Sequence, residues 1–224
     1  MGIVSLMLPI PRPIDEPPHD SALTEVLLRS FALAGYGVFI SVIARYWWAD
    51  TSRYTLLLLL LAEGLTIVLL LFARRAVLRD ATLVSISVTV LALSFFLFFE
   101  YTGTLHLIPE WLGSSLLVCG LAWQIFSKLT LGRSFGVLPA VRGLVTGGPY
   151  RLVRHPIYLG YLVGHVGFLL SNFSLQNLLV LVLLYSAQTV RMLREESVLR
   201  TGEQGADYIA YCARVRWRMV PFVF

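Results

Sequence analysis

The sequence predicts an all-α fold: a multi-pass transmembrane helical bundle of about six spans, with both termini cytoplasmic and a pocket at the cytoplasmic end. Three observations predict it. Of 224 residues, 57% are hydrophobic and only 14% are charged, with a mean hydropathy of +0.76, whereas a soluble domain carries roughly a quarter charged residues. The apolar residues fall into blocks comparable to the roughly 20 residues that cross a bilayer as a helix. Finally, the 18 Lys+Arg outnumber the 13 Asp+Glu, giving a pI near 9.5, yet these cations stand in the connectors between blocks. That placement reads as membrane topology and not as a nucleic-acid surface.

Residues 1–21 contain Pro9, Pro11, Pro13, Pro17 and Pro18 and no cation among the first ten, so an extended Pro-rich tail is expected there, not a cleaved signal. The first apolar block runs from about Val26 to Trp48, with Arg29 and the pair Trp47 and Trp48 marking its interfaces. The second, Tyr54 to Phe72, contains a run of six leucines and one acid, Glu63. An acid in hydrocarbon is costly, so Glu63 should face the protein interior; a functional role and a packing role both stay open. Arg74, Arg75 and Arg79 follow. A third block, about Thr82 to Phe99, leads to the connector Glu100–Glu110, which carries two acids and His106 but no Lys or Arg.

The fourth block runs from about Trp111 to Phe126, and after it come Lys128, Arg133, Arg142, Arg151 and Arg154 without an acid between them. The fifth, Ile157 to Ser171, is short for a full crossing. Asn172 and Phe173 make a tight turn into the sixth, Ser174 to about Thr189, and Gly160, Gly164 and Gly167 are expected to let the two backbones of this hairpin approach closely. His165 lies on the hairpin and is expected as a neutral histidine hydrogen-bonded inside the bundle. The connectors after blocks two and four and the C-terminal tail are rich in arginine, whereas those after three and five lack cations, which puts both termini in the cytoplasm. Arg45 and Arg53 run against this rule, so block one is the weakest span. The sixth helix continues through RMLREESVLR, where Arg191 and Glu195, four apart, share a face while Arg194 and Glu196 point elsewhere. A last helix is expected from about Glu203 to Arg214, ahead of a basic, apolar end suited to the membrane interface.

The least membrane-like segment is LVTGGPYRLVRHPIYLG, residues 144–160. Gly147 and Gly148 permit unusual backbone angles and Pro149 fixes one, so a defined turn is expected. Pro156 suits the first turn of the helix that follows, placing His155, Tyr158 and free loop amides near that helix's N-terminus. Because blocks five and six form a hairpin, this loop and the Arg191/Glu195 face should be neighbours. The pocket between them would hold a carboxylate, an arginine, an imidazole, two tyrosines and amides. It lacks a metal cluster, a nucleophile with its base and a Walker-type loop. Cys119 and Cys212 are far apart and show no metal-site spacing, so neither a disulfide nor a metal is expected. Group transfer from a bound cofactor fits this inventory.

The same segment, followed some thirty residues later by REESVL, then YIAY and Pro221, resembles the isoprenylcysteine carboxyl methyltransferase and phospholipid methyltransferase superfamily of membrane enzymes. The resemblance covers roughly residues 125–224; the first four blocks carry no matching motif. It implies S-adenosylmethionine in a cytoplasmic cofactor pocket and an active site facing the cytoplasm. Leu144 and Val145 would contact the adenosine end, Tyr150, His155, Pro156, Ile157 and Tyr158 would line the cofactor, and Glu195 would hold its cationic end. Arg191, with Arg154, would sit by the methyl acceptor. The chain then divides into a tail (1–21), transmembrane helices one to four (22–128) and a catalytic region (129–224). The implied partners are the bilayer and a lipid or lipidated acceptor, with neither nucleic acid nor metal.

A carboxylate acceptor is ionised at neutral pH and needs only an arginine to orient it. An amine must lose a proton, for which Glu196 or His155 would be the nearby bases. Carboxyl O-methylation of the isoprenylcysteine type is therefore the leading expectation, ahead of phospholipid amine N-methylation. Two further readings compete. An NADPH-dependent sterol or enone reductase has a similar RHPxYxG tract, but an acid commonly follows its glycine and here Tyr161 follows Gly160. A non-enzymatic membrane protein would leave Glu195 and His155 without a ligand.

Overall fold

A continuous apolar run in hydrocarbon can satisfy its backbone within one segment only as a helix, and the described residues follow that rule. The computed structural model describes residues 22–49, 51, 54–74, 78–80, 82–100, 105–135, 140–141 and 143–224. The proline-rich tail, Arg53, Arg75, Arg142 and residues 101–104 of the acidic connector lie outside the described residues. The helices are α1 (Ala22–Ala49), α2 (Tyr54–Phe72), α3 (Leu83–Ser94), α4 (Glu110–Leu131), α5 (Pro156–Ser171), α6 (Leu175–Thr201) and α7 (Gly205–Arg214). Only the two-residue strands Leu78–Arg79 and Ala140–Val141, paired antiparallel, break the helical pattern among the described residues.

The third block differs from its expected extent: α3 stops at Ser94 and Phe95–Phe98 tighten into a 3-10 turn. The Phe95 ring there meets Phe99 edge-on and also packs on His165. Among the described residues one helical stretch, Trp111–Ser134, is long and apolar enough by itself to cross a membrane, and Glu63–Phe72, Leu83–Ala92 and Pro156–Ser171 are shorter apolar helices. Large apolar side chains stand exposed along α2 to α6, among them Leu61, Val68, Leu83, Val90, Trp111, Val166 and Leu183.

Local chemistry determines where the helices end. Thr82 caps α3 by accepting from the Ser85 amide, and Ser174 caps α6 by accepting from the Asn177 amide. At the end of α2, carbonyls that no later turn can satisfy are taken by arginines: Arg133 Nε donates to Phe72 O, and Arg29 Nη2 donates to Ala73 O at 2.8 Å. Connectors after α3 and α5 meet at one end, where the Glu100 amide donates to Asn177 Oδ1 and Leu105 pairs with Phe173. Connectors after α2 and α4 and the end of α6 gather at the other end, through the strand pair and an Arg194–Asp80 contact of 3.6 Å.

The glycines of α5 do not serve the α5–α6 hairpin as expected. They face α4: a Cβ on Gly120 would lie 2.5 Å from Gly160 O, and one on Gly167 would lie 2.6 Å from Gly113 O. With no side chain on either surface, α4 and α5 approach to backbone contact. α5 is thereby drawn towards α4 and away from α6, and the gap left beside α6 is where the cavity lies.

Candidate active site

The cavity has a volume of about 340 Å³ and opens between the 143–158 loop, α5 and α6, reaching α1, α2 and α4 at its inner end. This is within the range of small-molecule sites. Its outer wall is the loop. Gly148 sits at φ +54°, which lets the chain turn into Pro149, and Tyr150 and Pro149 are buried beneath it. Gly143, at φ +118°, carries the chain into Leu144 and Val145, which line the cavity.

Nine of the ten residues expected at the site line this one cavity: Leu144, Val145, Tyr150, Arg154, His155, Ile157, Tyr158, Arg191 and Glu195. Pro156 does not. It is buried at the start of α5 and its carbonyl accepts from Trp123 Nε1, so its work is to begin the helix and bind α4. Arg191 and Glu195 share a face of α6 as their spacing requires; Arg191 donates to Gln188 and lies 5.6 Å from the centroid of the Tyr158 ring.

The C-terminal tail engages two groups that were expected to face a ligand. Amides thought free to meet a ligand are already used, with Arg154 N donating to Trp217 O and His155 N to Arg218 O. The Arg154 guanidinium, expected beside an acceptor, spends Nε on Val215 O, Nη2 on Arg216 O and Nη1 on Glu196 Oε1. Arg154 thus ties the tail over the loop. α7 completes this roof: Tyr211 Oη donates to Tyr150 O at 2.6 Å, and the Leu144 amide donates to Gln204 Oε1.

Glu196 is the anchor of the roof. Its side chain is buried and faces Arg154 at 2.9 Å, Arg218 at 3.2 Å, His155 at 3.4 Å and Arg200 at 3.5 Å. Burial by itself would raise its pKa, but His155 foremost, then Arg218 and Arg154, overcome this and hold it at about 2. A carboxylate so held cannot take a proton near neutral pH, which removes Glu196 as the general base considered above. Burial, then the nearby Glu195 carboxylate, pushes the Tyr150 phenol well up, so it stays a neutral hydrogen-bonding group.

Several lining residues were not singled out for the site from sequence: Tyr36, Gln124, Tyr161, Gln188, Tyr208 and Tyr211. Tyr208 and Tyr211 stand in the YIAY motif, and Tyr161 carries a signal in its i+3 spacing from Tyr158. Glu63 does face inward and lines the cavity, its Oε1 3.9 Å from the fully buried Lys128 Nζ, which also donates to Thr66. His165 Nδ1 lies 2.9 Å from Tyr185 Oη, the hydrogen-bonded interior histidine that was expected. No group of three His, Cys, Asp or Glu with metal-binding geometry occurs among the described residues.

A family model described as Phospholipid methyltransferase matches residues 108–202. Protein-S-isoprenylcysteine O-methyltransferase A of Arabidopsis thaliana is 34% identical over 140 residues, covering 55% of this chain and 69% of the relative. The chain belongs to the isoprenylcysteine carboxyl methyltransferase and phospholipid methyltransferase superfamily. It is a methyltransferase, and its family implies S-adenosylmethionine as methyl donor. The donor set of the cavity fits such a group: the Glu195 carboxylate suits an ammonium, while Tyr150 and Tyr208 offer aromatic and hydroxyl contact for a nucleoside. The matched region, 108–202, carries the loop, α5 and the Arg191/Glu195 face of this methyltransferase, while α1 and most of the tail lie beyond it.

Proposed function

We propose that this methyltransferase transfers a methyl group from S-adenosylmethionine to the carboxylate of a lipid or lipidated acceptor, as the isoprenylcysteine type of acceptor requires. The observation that carries this reading is the meeting of Arg191 and Glu195 from α6 with Tyr150, His155 and Tyr158 in one cavity. S-adenosylmethionine supplies an electrophilic methyl on a sulfonium centre. Glu195 holds the cationic end of the donor, Leu144, Val145 and Tyr150 hold its nucleoside, and Ile157 and Tyr158 shape the wall beside them. Arg191 orients the acceptor carboxylate without protonating it, and the roof built on Arg154 and Glu196 excludes water. Positioning of this kind is worth up to about 7–11 kcal/mol in ideal intramolecular models.

Glu196 favours a carboxylate over an amine acceptor, because its own carboxylate is held at a pKa of about 2. A carboxylate so held is a poor acceptor for an ammonium proton. Six crossings with the arginine-rich connectors and both termini in the cytoplasm remain the topology we propose, supported by the alternation of connector ends described above. The acceptor would then enter sideways from lipid, and the donor from the cytoplasm.

The deciding experiment is incubation of membranes containing the protein with methyl-labelled donor, followed by base. Volatile methanol supports an ester; base-stable label indicates an amine product and ends the carboxylate reading. Thermal stabilisation by NADPH but not by S-adenosylhomocysteine would instead indicate a reductase. Glu195→Gln is expected to raise the Kd for S-adenosylhomocysteine about tenfold to a hundredfold, since a charge-assisted contact is worth roughly 1.5–3 kcal/mol. Calorimetric titration measures this, and an unchanged Kd removes Glu195 from the site. For Arg191→Leu, kcat/KM for the acceptor should fall at least about a hundredfold with the Kd for S-adenosylhomocysteine within about twofold of the parent value.

A further inference from the structure

The inner end of the cavity is polar in a way that methyl transfer does not use. Beyond Tyr158, one helical turn further along α5, the Tyr161 ring follows at 6.5 Å, with Lys128 Nζ 5.6 Å from its centroid. Facing it are Glu63 and Gln124, which are 6% and 3% exposed and both line the cavity. Glu63 Oε2 and Gln124 Oε1 have no hydrogen-bond partner among the described residues. Buried oxygens are seldom left so, because each forfeits the free energy of hydration. Two unmatched acceptor atoms in one compartment call for donors.

We propose that this compartment is a second polar subsite, which receives a neutral hydrogen-bond donor, an amide N–H or a hydroxyl, carried on the acceptor's chain deeper than the carboxylate held by Arg191. The inference rests on the carboxyl-methylation reading above. Charge selects the neutral donor. Lys128 already balances Glu63 at 3.9 Å, and Glu195 is assigned to the donor, so an ammonium in this compartment would meet a carboxylate whose charge is already matched. An unadorned hydrocarbon would strand both oxygens, the penalty that makes sites built to hydrogen-bond a group reject analogues lacking it. The acceptor would thus be an acid whose apolar chain carries a second polar group, and a simple fatty acid would be discriminated against.

The test uses the full-length protein in detergent, saturated with S-adenosylhomocysteine, and N-dodecanoyl derivatives of glycine, β-alanine and aminohexanoic acid, each beside its N-methyl analogue. Kd is read from thermal shift. At one or more spacer lengths the N–H acid should bind about tenfold more tightly than its N-methyl partner. Gln124→Leu, which leaves the Lys128–Glu63 pair in place, should cut that ratio to below about twofold while stabilisation by S-adenosylhomocysteine persists. Equal affinities at every length in the parent protein, no binding of any of the acids, or a ratio unchanged in Gln124→Leu each overturn the proposal. Failure of the carboxyl-methylation reading shows itself separately, as base-stable label in the membrane assay.

Discussion

Glu196→Gln should lower the melting temperature of the detergent-solubilised protein by roughly 10 °C, corresponding to about 3–5 kcal/mol. The amide keeps the size of the side chain and can still accept a hydrogen bond, but it leaves the half-buried Arg154 guanidinium, 2.9 Å away, without its counter-ion. Arg154 holds the carbonyls of Val215 and Arg216, so loss of the charge should also loosen the roof and weaken binding of S-adenosylhomocysteine. A pH scan checks the cause. The Glu196 pKa is lowered from 4.5 to about 2 on folding. Its contribution is therefore complete above about pH 4.5 and is lost as pH falls towards 2, amounting to roughly 3 kcal/mol. The gap in melting temperature between parent and variant should be full at pH 7 and narrow steadily below pH 4.5. A gap that does not depend on pH would assign the loss to packing and not to charge.

Gly120→Ala should cost at least about 2 kcal/mol, because an added methyl would meet Gly160 O at 2.5 Å and Gly164 N at 2.7 Å. These are backbone atoms and cannot rotate aside, so α4 and α5 must separate. Since α5 carries Ile157 and Tyr158, separation should also disturb the cavity, and cofactor affinity should fall together with melting temperature. Gly64→Ala is the control: nothing lies within 4 Å of its added carbon, and the substitution should be neutral or slightly stabilising. Equal melting temperatures for Gly120→Ala and the parent would mean that the two helices do not touch as described.

Much of the cavity lining is legible in the sequence because its signals are local. The start of α5 at Pro156, the turn at Gly148, and the shared face of Arg191 and Glu195 all follow from backbone chemistry and helical spacing within a few residues. Arg154 and Glu196 were harder. Their residue types suit an acceptor site as well as a scaffold, and only the tail folding back over sixty residues of sequence decides between them. The same holds for Glu63: a lone acid in an apolar run has to face inward, but its pairing with Lys128 and its unmatched oxygen depend on α2, α4 and α5 together.

Sequence alone determined the helical class, the approximate positions of the apolar helices and the loop that lines the cavity, since hydropathy and the proline and glycine positions act over short range. Tertiary structure decided which surfaces meet. The Gly160, Gly164 and Gly167 stripe names a close approach but no partner, and only the matching glycines on α4 show that α5 leans there and leaves the cavity beside α6. A missing side chain is a permission that either neighbouring helix could have used; the packing of the whole bundle selects which one does.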